Sequence, residues 1–326
     1  MRIATFNVEN LDSSADENNP TLNKRVPILR AAFERMDAEV VCLQEVHGQE
    51  TDNHTSNDPD RILSALDAVV EGTRYQTYHR AVTKTQGTPY DKRNLVILSE
   101  YEIEAAYQYR NDHIAKLAYR KVTSNPPDAD AKDLSWERPI LHAKLHLPDG
   151  SKLHVINLHL KSRLASNVEG QKNGFSWHSA AGWAEGYFLS SIKRVGQALE
   201  TRVLLDQIFD AQPDAQIVVC GDFNAEPGEV PVEAIAGRVE NTNNPNLRHR
   251  MLVSCSNHIA ESNRFSHLHH GQPNLLDHML ISQSLLPSFL GAEIHNENLH
   301  DESLPFTFDS KYPESDHAAF VGEFDL

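Results

Sequence analysis

The run Ile217-Val218-Val219-Cys220, followed by Gly221-Asp222-Phe223-Asn224-Ala225-Glu226-Pro227, places a carboxylate and an amide two positions apart just beyond a buried strand. A short, apolar, β-branched segment of this kind reads as a strand covered on both faces. Gly221 closes the strand in this reading. Glu226-Pro227-Gly228 then turns the chain away, which leaves Asp222 and Asn224 at the strand's mouth. Residues of these types also serve simply as turn formers. The alternative is chemistry, since polar side chains held at the end of a rigid element are well placed to carry it.

The same pattern recurs along the chain. Ile3 to Asn10 alternates like a strand and offers Asn7, and Val40 to Val46 is apolar and closes on Glu45. Leu153 to Leu160 delivers Asn157 and His159, whose even spacing puts both on one face. Leu275 to Ile281 contributes Asp277, and Glu314 to Phe320 contributes Asp316 and His317. His278 alternates with Asp277 and points to the opposite face, which gives it a structural role. A capping residue can explain any one of these ends, but hardly all of them together.

Glu45, Asp222, Asp277 and Asp316 could not all stay ionised close together without a cation, because neighbouring like charges raise one another's pKa. Oxygen donors at strand ends, with no cysteine among them, suit Mg²⁺ or Mn²⁺ better than zinc. A hard cation beside a histidine and an aspartate suits phosphoryl chemistry.

The ordered set Thr5-Phe6-Asn7, Leu43-Gln44-Glu45, Asn157-Leu158-His159, Gly221-Asp222-Phe223-Asn224, Leu276-Asp277-His278 and Ser315-Asp316-His317 resembles the endonuclease/exonuclease/phosphatase superfamily, of deoxyribonuclease I-like fold, over nearly the whole chain. The resemblance implies an α+β, four-layer α/β/β/α sandwich: two packed mixed β-sheets flanked by helices, with the site at one end of the sheets. It also implies roles. Glu45, Asp316 and Asn7 would hold the metal, Asp222 would orient or deprotonate the attacking water, and Asn224 would hold that water or a phosphate oxygen. His317, oriented by Asp277, would donate to a nonbridging oxygen, and His159 would be a second donor. Arg138 matches a phosphate-side arginine, with a surface salt bridge as its competing explanation, and Lys161, Arg163 and Arg194 are weaker substrate contacts.

Other features bound the reading. At 326 residues, with no low-complexity linker or composition break, the chain reads as one domain, 1–326, carrying an aromatic-containing insertion around 162–191 over the site. Helices are expected over Lys24 to Met36, Arg61 to Val70 and Ile192 to Phe209. A strand is expected over Asn94 to Ser99, and a hairpin joins Ile140 to Leu147 with Lys152 to Leu160. His47 to Asp60 reads as a surface loop. Three sparse cysteines give neither a disulfide framework nor a zinc spacing, and the start of the chain lacks a signal-peptide pattern, so a cytoplasmic protein is expected. His267, His269 and His270 look like a metal tract but lie in a loop-like segment, so a dedicated second site is not expected there.

Lys plus Arg number 30 against 46 acidic residues, a formal charge of -16, which tilts against a tight duplex binder without excluding a local basic groove. A nuclease or phosphodiesterase acting on nucleic acid leads, therefore, with a phosphatase or phosphodiesterase on a small phosphorylated metabolite or lipid headgroup as the alternative. An inactive member kept for binding is a remote third.

Overall fold

The structure is a computed structural model that describes residues 1–13, 20–304 and 311–326. Twelve strands build two six-stranded mixed sheets. In the first sheet, β1 (Arg2–Leu11) and β2 (Val40–Val46) form a parallel central pair. Around them lie β3 (His79–Val82), β4 (Asn94–Ser99), β11 (Phe289–Ile294) and β12 (Phe320–Phe324), in the order β11-β12-β1-β2-β4-β3. In the second, β7 (Lys152–His159) and β8 (Gln216–Asp222) are the parallel pair. Their neighbours β5 (Ile103–Tyr109), β6 (Ile140–His146), β9 (Leu252–Ser254) and β10 (Asp277–Ser282) give the order β9-β10-β8-β7-β6-β5.

The alternation within each strand sorts the layers. Ile3, Cys42 and Ile97 of the first sheet meet Val155, Val218 and Met279 of the second in one core between the sheets. The intervening residues face outward. Ala4, Val41 and Leu98 pack under α1 (Leu22–Met36) and α2 (Ser64–Val70). Ile156, Val219 and Leu280 pack under α3 (Ala180–Ala211), with α4 (Val230–Ala236) beside it. Period-two burial on both faces is what sandwiched sheets require, and the result is the four-layer α+β architecture.

Toward one end the inter-sheet core turns polar while the parity holds. Gln44 donates from Nε2 to Thr5 Oγ1 (3.0 Å) and to Asn157 Oδ1 (2.7 Å), and Asn157 donates across to Leu43 O (3.0 Å) and Val96 O (3.1 Å). Asn157 thereby pins one sheet to the other. The next layer outward on the same inner parity holds Asn7, His159, Asp222 and Asp277. It lies at the C-terminal ends of β1, β7 and β8 and at the N-terminal end of antiparallel β10.

Several boundaries differ from the sequence reading. Gly221 does not close its strand: β8 runs to Asp222, and Gly221 (φ +136°) lies where a Cβ would sit 2.0 Å from Leu158 O, so the residue type serves a close strand approach. Arg61 and Ile62 are not helical but pair with Gln49–Glu50, so α2 begins at Ser64; apart from that short pairing, 47–60 is irregular, and 51–60 lies at the surface as expected. The long helix starts at Ala180 rather than Ile192 and takes in the last part of the proposed insertion. α4 was not anticipated. Among the described residues no helix is long and apolar enough to cross a membrane.

Candidate active site

Asp222 occupies the centre of the polar end and is almost wholly buried. Its Oδ1 accepts the Asn224 backbone N–H (2.8 Å), and its Oδ2 accepts from Asn7 Nδ2 (3.2 Å) and Asn224 Nδ2 (3.1 Å). His159 Nε2 stands 3.3 Å from Asp222 Oδ2 and 3.6 Å from Glu45 Oε1. On the other side His317 Nε2 lies 4.0 Å from Asp222 Oδ2, while its Nδ1 is 2.6 Å from Asp277 Oδ2. The expected residues Asp222, Asn224, Asn7, His159, Glu45, His317 and Asp277 are therefore one connected cluster drawn from both sheets.

Alternation alone would send Glu45 outward with Val41 and Leu43. Instead its backbone is left-handed (φ +63°), and the register of β2 against β4 shifts between Leu43 and Val46. The irregularity swings the carboxylate to the inner end, where it accepts the Asn10 N–H (3.0 Å) and faces Arg93 Nε at 3.8 Å. Glu9, Asn10, Arg93 and Asn224 also have positive φ. Strained backbone gathered in this way is characteristic of functional ends.

Arg138 is buried, not a surface ion pair. It donates from Nε to His159 O and from Nη2 to Leu160 O, both at 3.1 Å, and so fixes the end of β7 from beneath. Of the weaker candidates, Arg194 is spent on Lys161 O and Ser162 O (3.0 Å each). Arg163 reaches Asn224 O (3.2 Å) and Glu229 (2.6 Å), and Lys161 Nζ meets Ser162 Oγ (3.0 Å).

Glu9 escaped the sequence reading, and His267, named there only as part of a possible second metal tract, joins the main site. Glu9 accepts the Asp316 backbone N–H at 3.1 Å; it lies two positions beyond Asn7, and that even spacing is the signal that could have found it. His267 bridges to His317 across an isolated backbone pair, with ring centroids 5.2 Å apart. Among the described residues, His267, Asp316 and His317 form the one group of three His, Cys, Asp or Glu side chains whose ligand atoms all lie within 4.8 Å of one another. His267 Nε2 (3.1 Å) and His269 Nδ1 (2.9 Å) share Glu302 Oε2, and the His270 ring lies 4.3 Å from that of His269, so of these three histidines only His267 reaches the group with Asp316 and His317. His278 points away from the site as expected, its Nε2 2.8 Å from Ala225 O.

The electrostatics divide the carboxylates: Glu9 and Asp316 are pushed up, whereas burial works against the charge of Glu45 but His159, Arg93 and Arg138 hold it below its ordinary value. Burial and then Asp316 raise Glu9 to about 8, against the pull of Arg25. Burial likewise raises Asp316 to about 6, with Glu45, Glu302 and Asp222 adding to it and His317 opposing. Burial also works against the charge of Asp222, but the His159 hydrogen bond and the neighbouring imidazoles hold it far below the usual carboxylate range. Burial and Arg138 push His159 toward its neutral form, whose N–H still donates to Asp222. Burial opposes the charge of His317 too, and Asp277 overcomes it, so this imidazole is raised well above its ordinary value and stays protonated. Carboxylates driven up by burial and by one another, with hard oxygen donors throughout, fit a divalent cation.

The sequence profile of the Endonuclease/Exonuclease/phosphatase family matches residues 4–317, and the chain belongs to that family. Members of the family hydrolyse phosphoesters. Among solved structures the chain is similar to an endonuclease/exonuclease/phosphatase family protein from Leptotrichia buccalis (14% identity, TM-score 0.56) and to the mannosyl-6-phosphatase Bt3783 of Bacteroides thetaiotaomicron (12%, 0.60). It is also similar to the 3'-5' exonuclease of Neisseria meningitidis (15%, 0.51), and in all three comparisons the whole of both chains is covered. At these identities the likeness is one of fold. No curated protein gives a significant match.

Proposed function

We propose that this protein is a divalent-metal-dependent phosphoester hydrolase, a nuclease or phosphodiesterase that cleaves P–O bonds by attack of water. The observation that carries the reading is the junction of Asp222 with His159 on one side and the His317–Asp277 pair on the other, at one end of two parallel strand pairs. Asp222, ionised and braced by Asn7 and Asn224, orients the attacking water and receives its proton. Protonated His317, fixed by Asp277, donates to a nonbridging oxygen where charge builds up, and neutral His159 spends its one N–H on Asp222 and holds that carboxylate from the opposite side. Arg138 adds positive charge beneath the phosphate. Glu45 and Asp316 would hold a divalent ion, and Glu9, which accepts the Asp316 N–H, would add a further carboxylate oxygen. The amide of Asn7 is committed to Asp222 and to the Glu9 N–H, which leaves one oxygen lone pair for the metal. Bound Mg²⁺ or Mn²⁺ would neutralise the phosphate and the leaving oxyanion.

The acidic balance of the chain keeps a second reading in play, hydrolysis of a small phosphorylated metabolite or lipid headgroup. The structural relatives span both, since they include a mannosyl-6-phosphatase and a 3'-5' exonuclease. The test is a substrate panel with Mg²⁺ or Mn²⁺: single- and double-stranded DNA and RNA, an aryl phosphodiester and an aryl phosphomonoester. Cleavage of nucleic acid supports the first reading. Activity confined to the small esters supports the second, and silence on all of them removes both.

A further inference from the structure

The N-terminal half of α3 carries a surface that the hydrolytic cluster does not use. Trp183, Tyr187 and Phe188 are 47%, 42% and 45% exposed, and Phe175, in the turn just before the helix, is 95% exposed. Among the described residues, Tyr107 is the one other large aromatic left so open. Trp183 and Tyr187 lie one helical turn apart, with rings stacked at 5.5 Å and 19°. Lys172 Nζ sits 5.5 Å from the Phe175 ring centre and 5.4 Å from that of Trp177. Trp177 packs onto Gly186, where a Cβ would come within 2.9 Å of its ring, so this small hairpin is seated against the first turns of the helix, beside the exposed Trp183–Tyr187 face.

The surface adjoins the segment that leaves the active site. Trp183, Tyr187, Ser190 and Arg194 recur at spacings of four, three and four, which defines one stripe of a helix. That stripe follows the chain leaving β7: Arg194 holds Lys161 O and Ser162 O, and Ser190 Oγ donates to Leu164 O (2.6 Å). Lys161 is two residues past His159. At 1.5 Å per residue, Tyr187 and Trp183 lie about 10 and 16 Å along the helix from Arg194, within reach of a few nucleotides. Lys161 at the active-site end and Lys172 at the hairpin supply cations, while Arg163 is paired with Glu226 and Glu229.

We infer that the Trp183–Tyr187 face and the Lys172–Phe175 hairpin form a stacking platform for unpaired bases of a single-stranded nucleic acid leading away from the scissile phosphate. The inference rests on the phosphoesterase reading and gives it a substrate class. Aromatic faces accept any base, and a cation beside them meets the backbone, a combination that suits single strands and not a paired duplex.

Binding of fluorescently labelled oligonucleotides to the Asp222→Asn protein, measured with chelator present, tests the platform separately from catalysis. A short single strand should bind roughly tenfold or more tightly than an abasic strand of equal length or a duplex, and it should quench tryptophan fluorescence. The Trp183→Ala/Tyr187→Ala double variant should abolish that preference while keeping its thermal midpoint and its turnover of a small aryl phosphodiester. Equal binding of strands with and without bases, an unchanged preference in the double variant, or variant-sensitive binding to phosphatidylcholine vesicles in place of oligonucleotides would overturn the platform. Failure of the hydrolytic reading shows itself elsewhere, as absence of turnover by the unmodified protein on every ester.

Discussion

Asp222 and His317 are asked to do different work, and single substitutions separate them. Asp222→Asn removes the proton acceptor and His317→Ala removes the charged donor, and each should lower turnover by about 10² or more. Thermal unfolding should stay close to that of the unmodified protein; near-normal turnover in either variant would discard its role. Glu45→Gln leaves the cluster otherwise intact but removes a carboxylate proposed to hold the metal. The Mg²⁺ or Mn²⁺ concentration giving half-maximal rate should therefore rise, and an unchanged metal response would move the ion elsewhere. At this scale much of the cluster was legible, because the strands place Asn7, His159, Asp222 and Asp277 on one parity of the inner face. Glu45 reaches the site by breaking that parity, which local sequence does not announce. His267 arrives through pairing with His317, a contact between segments fifty residues apart in the chain.

Among elements, β8 and α3 show what pattern reading misses. Gly221 looks like a strand end but lies within the strand against Leu158 O, so Gly221→Ala should cost more than about 1 kcal/mol in urea unfolding. In α3 the early turns bury Gly182, Glu185 and Gly186, not an apolar stripe, and expose their aromatics. Glu185 accepts the Val122 and Thr123 backbone N–H groups, and Gly186 O accepts the Ser166 N–H. Hydrophobic periodicity is therefore silent over the very turns that anchor the neighbouring loops. β6 and β7 carry a further consequence. His142 and His154 are 2.9 Å apart and buried, with Lys144 and Lys152 nearby and Glu104 partly offsetting them. Burial first, and then these neighbours, lower the two imidazoles to about 3 and about 4. The unfolded chain, whose imidazoles titrate near 6.5, takes up protons first. Stability is thus complete above that pH and declines as pH falls from about 6.5 toward 4. The thermal midpoint followed across this window should drop, and a His142→Leu/His154→Leu variant should drop less; parallel profiles would exclude the pair as a source of acid sensitivity.

For the molecule as a whole, two sheets each centred on a parallel pair bring the chemistry of widely separated segments to one end. Apolar alternation made the central strands legible, and the family resemblance of their strand-end motifs implied the two sheets and the four-layer arrangement; the packing of helices with few apolar cues, such as α4, was not legible. The account's central claim is that a metal-assisted attack oriented by Asp222 takes place at that end. The most direct test is the rate of aryl phosphodiester hydrolysis against Mn²⁺ concentration, for the unmodified protein and for Asp222→Asn, each repeated with chelator. Saturable, chelator-sensitive turnover that falls about 10² or more in the variant is the predicted result. Turnover that survives the chelator, or that Asp222→Asn leaves intact, would contradict it.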